Sequence, residues 1–574
     1  MKETASFPSA SEWERSAVCQ VYPRSFNEVR NNPADLRGEG SMLGITEKLP
    51  DLREMGIDAI WISPFFPSPM TDGGYDVSSY VDVDSRYGTL EDFYALTERA
   101  HELDMKVMID FVPNHTSDQH RWFKNSKSSA DAETNPYADW YIWRDPNPDG
   151  TPPNNHVSVF SKPNLRAVQA GDESLIQEDG TVKGIPAWTL SPERGQYYYH
   201  SFNEHQPDLN WEQPAVREAM CDTLRFWIEQ GVDGFRIDAF NHVGKNPELP
   251  NELPFPDYKP ATDNPYDALI HDSAANFLPT LSSYAQQLTS VFDSYPERDL
   301  FMIFEAYAPT DVTRMLDSTH PQAKSFYFRR MNAPFDAKTH QRLMDEQYAA
   351  PGIATNVIAN HDRPLPVNNY GSKGARMMAT LNLMLPGMSF VYQKEIGGDH
   401  AFYIPEELRD DIQGERDDAR TPMLWNANKN AGFSDADTTW LPVQPNFDIA
   451  NLEAQKNDPR SFFSLYRTLL ALRKQTAWQE GSYAHIESSD EESLSFGVQG
   501  QSGDYTVIAN FSDEETVTRI TGVRSNIGRI VLSSLHYERT ETVHFNDELR
   551  LDPKEALVIL SDAPTYLPES LPSS

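Results

Sequence analysis

Four acidic residues each close a short apolar run: Asp110 in MKVMID, Asp238 in GFRID, Glu305 in LFMIFE and Asp362 in NVIANHD. Arg236 stands two residues before Asp238, so in an extended chain both charges point to one face. His361 immediately precedes Asp362, and His115 follows Asp110 by five residues. A lone acid after a strand is usually a cap or a structural group, but four at matching positions form a pattern. Brought together they would repel, and at least one would keep a proton near neutrality. Two carboxyls of unequal acidity are what glycosidic bond cleavage requires. One, ionised, attacks the anomeric carbon; the other, protonated, gives its proton to the leaving oxygen. Tyr75, Phe160, Trp188 and Tyr307 suit stacking on sugar faces, although each alone is more often just core.

The elements that must bring these acids together are short strands alternating with helices. AVCQVYPRSF (17–26), IDAIWISPF (57–65), MKVMIDFV (105–112), VDGFRIDA (232–239), LFMIFEA (300–306), KSFYFRR (324–330), TNVIANHD (355–362) and MSFVYQ (388–393) read as strands, with helix-like segments such as Thr46–Met55 and Leu90–Leu103 between them. Eight buried strands in this rhythm predict an α/β fold, a parallel (β/α)8 TIM barrel whose strand ends open onto one face. The rhythm breaks at 113–210, too long for an ordinary loop, and an inserted B domain after strand 3 is expected there. From 477 the pattern turns to SLSFGVQG, DYTVIANFS, GRIVLSSL and ALVILS, which predicts a C-terminal antiparallel β-sandwich over 477–565. The barrel then occupies 11–112 and 211–476, and unstructured tails are expected through Ala10 and from about Asp562.

The totals narrow the function. A chain of 574 residues has room for two or three domains. Its formal net charge of −37 argues against a nucleic-acid partner or an anionic membrane surface. Only two cysteines, Cys19 and Cys221, are present, so no disulfide framework is implied. No apolar leader and no run of about 18 apolar residues is visible, and a soluble cytoplasmic protein is expected.

The segments DFVPNH (110–115), QPDLNW (206–211), GFRID (234–238), FEAY (304–307) and NHD (360–362), in this order and spacing, resemble glycoside hydrolase family 13, the α-amylase family. VYPRSF (21–26), SPMTDGGYDVSSY (68–80), PNHTSDQHRWF (113–123) and RDDARTPMLW (416–425) resemble its exo-acting α-glucosidase and oligo-1,6-glucosidase branch. The resemblance implies Asp238 as nucleophile, Glu305 as general acid and base, and Asp362 as a third carboxylate gripping sugar hydroxyls. It implies Arg236 as the group that keeps Asp238 ionised and aimed. His115 and His361 would bond the sugar, Tyr75 would stack on it, and Asp72 and Arg416 would pin its non-reducing end. Phe160 joins the substrate-binding set. A double displacement with net retention follows, with the Asp238 and Glu305 carboxyls about 5–5.5 Å apart.

The chain departs from the family's pattern in four places. Relatives carry an acidic Asp-x-Asn-x-Asp-Gly loop that binds a metal after the first strand; NEVRNNPADLRGEGS (27–41) lacks that spacing. No cofactor is expected, and a metal ion is left open, with Asp35 and Glu39 as its candidate ligands. Ala239, after the nucleophile, is neither the Thr nor the Val that accompanies linkage preference in relatives. The stretch 161–187 is longer and more polar than a short link, and suits a solvated excursion or a wall on the acceptor side. Leu365 stands where relatives often have arginine.

The function expected is removal of glucose from the non-reducing end of short α-glucosides, with transglucosylation sharing the site. A glucosyl-transferring or isomerising relative (a transglucosidase, trehalose synthase or sucrose-acting enzyme) is the alternative. A non-catalytic partner of a transporter is disfavoured because the three catalytic acids are present, and a pure carbohydrate-binding module needs no nucleophile and proton donor together. Linkage preference, salt requirement and oligomeric state are not legible.

Overall fold

The computed structural model describes residues 12–561, except 32, 179, 261, 271–277, 308–309, 350–353, 398–399, 410–415, 477–481, 501–502, 522, 524 and 526. Both predicted tails lie outside the described residues. Eight strands form one parallel sheet: β1 Ala17–Val21, β2 Ala59–Ile62, β3 Lys106–Phe111, β4 Gly234–Ile237, β5 Phe301–Phe304, β6 Ala323–Ser325, β7 Thr355–Asn356 and β8 Met388–Tyr392. They pair in the order β6-β5-β4-β3-β2-β1-β8-β7, a ring nearly closed on itself. At the seam between β6 and β7 the Thr355 hydroxyl donates to the Ser325 carbonyl at 2.8 Å and accepts from the Tyr327 amide at 3.1 Å.

Alternation along the strands sorts the side chains into two cores. Val18, Ala59, Trp61, Met108, Ile303 and Phe390 fill the barrel interior, with Trp13 packed beneath them. Cys19, Ile60, Val107, Ile109, Phe235 and Met302 face the surrounding helices. The β3–β4 register sets Asp110 opposite Arg236, so both point inward, above the apolar floor. The interior is hydrophobic low in the barrel and charged near its mouth.

The insert after β3 contains a three-stranded sheet of Trp143–Arg144, Gln196–Tyr199 and Trp188–Ser191. After the barrel come antiparallel sheets, the largest with six strands that include Ser493–Val498, Asp504–Asn510, Ile527–Ser533 and Ala556–Ser561.

Several predicted bounds shift. The first long helix starts at Met42 rather than Thr46, because the Ser41 hydroxyl caps it by accepting from the Gly44 amide at 3.0 Å. The predicted strand 324–330 stops at Ser325, beyond which Phe326 and Phe328 stack on each other at 4.9 Å. The run 355–362 is strand only over Thr355–Asn356, so Asp362 lies on a loop, and Asp110 sits inside β3 rather than at its end.

Candidate active site

Arg236 is the centre of the mouth. It is fully buried, and Nη1 meets Asp110 Oδ1 at 2.8 Å and Asp238 Oδ1 at 2.6 Å, while Nη2 meets Glu305 Oε2 at 2.7 Å. Its guanidinium also lies 5.3 Å over the Trp61 ring. Asp238 and Glu305 each follow the last residue of their strand. Their positions are fixed by main-chain bonds from Asp238 N to Phe111 O and from Glu305 N to Ile237 O, both 2.8 Å. Ala239 adopts a left-handed conformation, φ 43° and ψ 38°, which turns its amide onto Glu305 Oε2 at 3.0 Å. That oxygen therefore has two donors, and the proton a general acid needs belongs on Oε1.

One guanidinium for three carboxyls leaves excess negative charge. Burial pushes Asp238 well above the usual carboxylate range; Arg236 opposes this, and Glu305 and Asp110 add to it. Burial also raises Asp110, against Arg236, to about 6. Arg236 thus pulls Asp238 toward its ionised form, as expected of a neighbouring cation, but its charge is divided among three acids.

Asp362 is the opposite case. Burial opposes its ionisation, yet His361, Arg416, Arg420 and Arg236 hold it far below the usual carboxylate range. Its Oδ1 receives Arg420 Nη2 at 2.7 Å and Arg416 Nη1 at 3.2 Å. Arg416 also reaches Asp72 Oδ1 at 2.8 Å, and the Gln206 amide donates to Asp72 Oδ2 at 3.0 Å. Arg416 thus clamps Asp72 to Asp362, and its guanidinium lies 5.6 Å over the Phe160 ring.

Tyr75 stacks on His361, centroids 5.4 Å apart and planes 4° from parallel. The Gln20 amide donates to His361 Nδ1 at 2.7 Å, which places the ring proton on Nε2. That nitrogen faces the Tyr75 hydroxyl at 2.8 Å, and the hydroxyl donates onward to Asp110 Oδ2 at 3.1 Å. Burial keeps both histidines neutral, lowering His361 to about 3 and His115 to about 4. His115 Nε2 lies 3.1 Å from the Gln206 amide, and its ring packs on Phe202 at 5.0 Å.

Two proposed aromatics separate. Trp188 is buried in a small core between Ile142 of the insert and Leu249 of the segment after β4, so its ring packs on protein rather than facing the mouth. Tyr307 is exposed and stacks on Phe328 at 5.0 Å. Phe160 opens the 161–187 excursion, which holds a helix, Lys162–Gln169, packed on the turn Pro265–Ala268. Leu365 is buried core at the start of the helix Pro366–Met384.

Arg420, Gln20, Gln206 and the buried pair Lys245–Asp208, 2.8 Å apart, were not singled out as site residues. Arg420 was within reach: it lies four residues after Arg416, one helical turn away on the same face. No local pattern marks Gln20 or Lys245.

The loop 27–41 does not fit a metal ion. A guanidinium already occupies its cluster of oxygens, with Arg30 Nε 3.2 Å from Glu28 Oε1. Asp35 is exposed, and Glu39 is turned to Arg24 at 2.7 Å.

Residues 20–481 match the family model described as "Alpha amylase, catalytic domain". A probable alpha-glucosidase of Rhizobium meliloti (strain 1021) is 37% identical over 85% of this chain and 88% of its own length. The oligo-1,6-glucosidase of Parageobacillus thermoglucosidasius is 32% identical over 95% and 98%. The crystal structure of an alpha-glucosyl transfer enzyme, XgtA, superposes with a TM-score of 0.83 at 31% identity, covering 96% of this chain and 100% of that one. With an eight-stranded parallel barrel and acids converging at its mouth, the chain belongs to the alpha-amylase family, glycoside hydrolase family 13.

Proposed function

We propose that this protein removes glucose from the non-reducing end of short α-glucosides with retention of configuration. The observation that carries the reading is the division of one buried guanidinium between Asp238 and Glu305 at 2.6 and 2.7 Å, beside an Asp362 held ionised by Arg416 and Arg420. In the first step Asp238 attacks the anomeric carbon while Glu305 Oε1 donates its proton to the departing oxygen. In the second, Glu305 takes a proton from water, which displaces Asp238. Positive charge building on the sugar ring is met by Asp238 and Asp362, fixed in place before the reaction starts.

Asp72, clamped by Arg416 and Gln206, stands where the far end of the glucose ring would lie, and Tyr75 would cover its face. The insert 113–210 supplies His115, Gln206 and Phe160 to this pocket, which suits release of one sugar at a time. The two cysteines are both free and buried, which suits a reducing compartment such as the cytoplasm. Among the described residues no helix is long and apolar enough to cross a membrane.

A time course of products from maltose, isomaltose, sucrose and trehalose tests the reading. Glucose released from at least one α-linked disaccharide is expected; no turnover of any, nor of an aryl α-glucoside, would refute it. A second reading, glucosyl transfer to another hydroxyl, is favoured by the likeness to the alpha-glucosyl transfer enzyme. Free glucose as the sole product at high acceptor concentration would count against it.

A further inference from the structure

The loop after β1 holds a charged cluster that the proposed reaction does not use. The Glu28 side chain is fully buried. Its Oε1 accepts from the Arg37 amide at 2.8 Å and from Arg30 Nε at 3.2 Å. Its Oε2 accepts from the Gly38 amide at 2.9 Å and from the Ser434 hydroxyl at 2.6 Å. The Arg30 side chain, only 10% exposed, aims Nη2 at three main-chain carbonyls. These are Arg86 O at 2.6 Å and Glu39 O and Gly40 O, each at 3.4 Å.

One carboxylate oxygen and three carbonyls thus surround one guanidinium, and hard oxygens of these two kinds are what a divalent ion takes. Four such oxygens without a cation would repel one another, and the buried Glu28 carboxylate would lack a countercharge. We infer that the Arg30 guanidinium stands in for a divalent cation at this loop, so that the protein carries its own permanently bound cation.

The charge balance supports the substitution. A guanidinium neutralises the single carboxylate, whereas a divalent ion would leave a net positive charge in a buried place. Arg30 offers five N–H donors in a fixed plane. It cannot dissociate or be chelated, so the order of the loop does not depend on the metal content of the medium.

The cluster also joins the loop to the site. Gly38, whose amide donates to Glu28, accepts through its carbonyl from the Trp440 amide at 3.0 Å, and Trp440 Nε1 donates to the Ser25 hydroxyl at 3.1 Å. That hydroxyl donates to the Arg420 carbonyl, and Arg420 grips Asp362. A disordered loop would therefore slacken the clamp on the third carboxylate.

The test is thermal unfolding of the full-length protein in excess EDTA, in 5 mM calcium chloride and in 5 mM magnesium chloride, with elemental analysis of the purified protein. The wild type is expected to melt within 1 °C of one value in all three media and to carry no stoichiometric calcium or magnesium. Arg30→Ala is expected to lower Tm by at least about 2 °C in EDTA, with part of the loss restored by calcium, because the oxygens are then open to an ion. Arg30→Lys, which keeps the charge, is expected to melt between the two. The inference is overturned if EDTA lowers the wild-type Tm, if the purified protein holds one calcium or magnesium per chain, or if Arg30→Ala melts like the wild type. If Arg30→Ala does not fold, the wild-type arms and Arg30→Lys decide.

Discussion

Asp110 touches no substrate in the proposed mechanism, yet its removal should act on the nucleophile that does. Asp110 and Asp238 share Arg236 Nη1 at 2.8 and 2.6 Å, so their oxygens lie within about 5 Å of each other. At that separation, with an effective dielectric constant near 20, two unit charges repel by about 3 kcal/mol. That repulsion disfavours the ionised form of Asp238 and adds to the upward push of burial. Asp110→Asn deletes the repulsion and leaves Arg236 to Asp238 and Glu305. The expected result is an acid limb of the kcat/KM profile moved toward lower pH. The assay is hydrolysis of p-nitrophenyl α-glucoside from pH 4 to 9, and the position of the acid limb is read independently of any fall in the maximum rate. An acid limb that stays in place, or moves to higher pH, would refute the shared-guanidinium account.

Other perturbations follow from the same contacts. Tyr75→Phe removes a hydroxyl bonded to both His361 and Asp110; urea unfolding should show a loss of about 1–3 kcal/mol, with kcat/KM reduced as well. His361, lowered by burial to about 3, contributes stability above pH 6.5 that is lost as pH falls toward its folded value. At pH 5 the loss is about 2 kcal/mol. Asp110, raised by burial to about 6, acts in the opposite sense between pH 4 and 6. The test is therefore the difference in Tm between wild type and His361→Gln, which should shrink between pH 7 and pH 5. Ala239→Gly should stabilise the protein by up to about 1 kcal/mol, since a left-handed backbone is strained for alanine and free for glycine; Ala239→Val should lose more than that. Arg420→Gln should lower kcat/KM by about 10–100-fold, the worth of one buried charge-assisted bond.

Much of the site was visible in the sequence because the barrel makes distant residues local. Once the apolar runs are read as parallel strands, the acids that close them must share one mouth. Asp238 and Glu305 stand one residue past their strands, as that logic requires, and Arg236 points inward with Asp110 through the β3–β4 register. Legibility ended where position depends on loops or on sums of charges. Asp362 sits beyond a two-residue strand, and only the motif NHD marked it. The sequence shows Arg236 beside Asp238, but not that Asp110 and Glu305 compete for the same guanidinium. Gln20, which orients His361, and Lys245, which pairs with Asp208, belong to no local pattern. Trp188 could not be assigned from the sequence, because an aromatic residue in such an insert looks the same whether it faces a pocket or, as it does, a core. The loop 27–41 lacked the spacing of a metal site, but only the structure shows what Arg30 does there.

The central claim is that Asp238 becomes covalently bound to glucose and Glu305 handles the proton. Trapping with 5-fluoro-α-glucosyl fluoride, followed by peptic digestion and mass spectrometry, tests it most directly. The account predicts one modified peptide, from the β4 region, with the sugar on Asp238, and a slower release of the label in Glu305→Ala. A label on any other residue would contradict it, as would α-glucosides releasing β-glucose as first product by proton NMR.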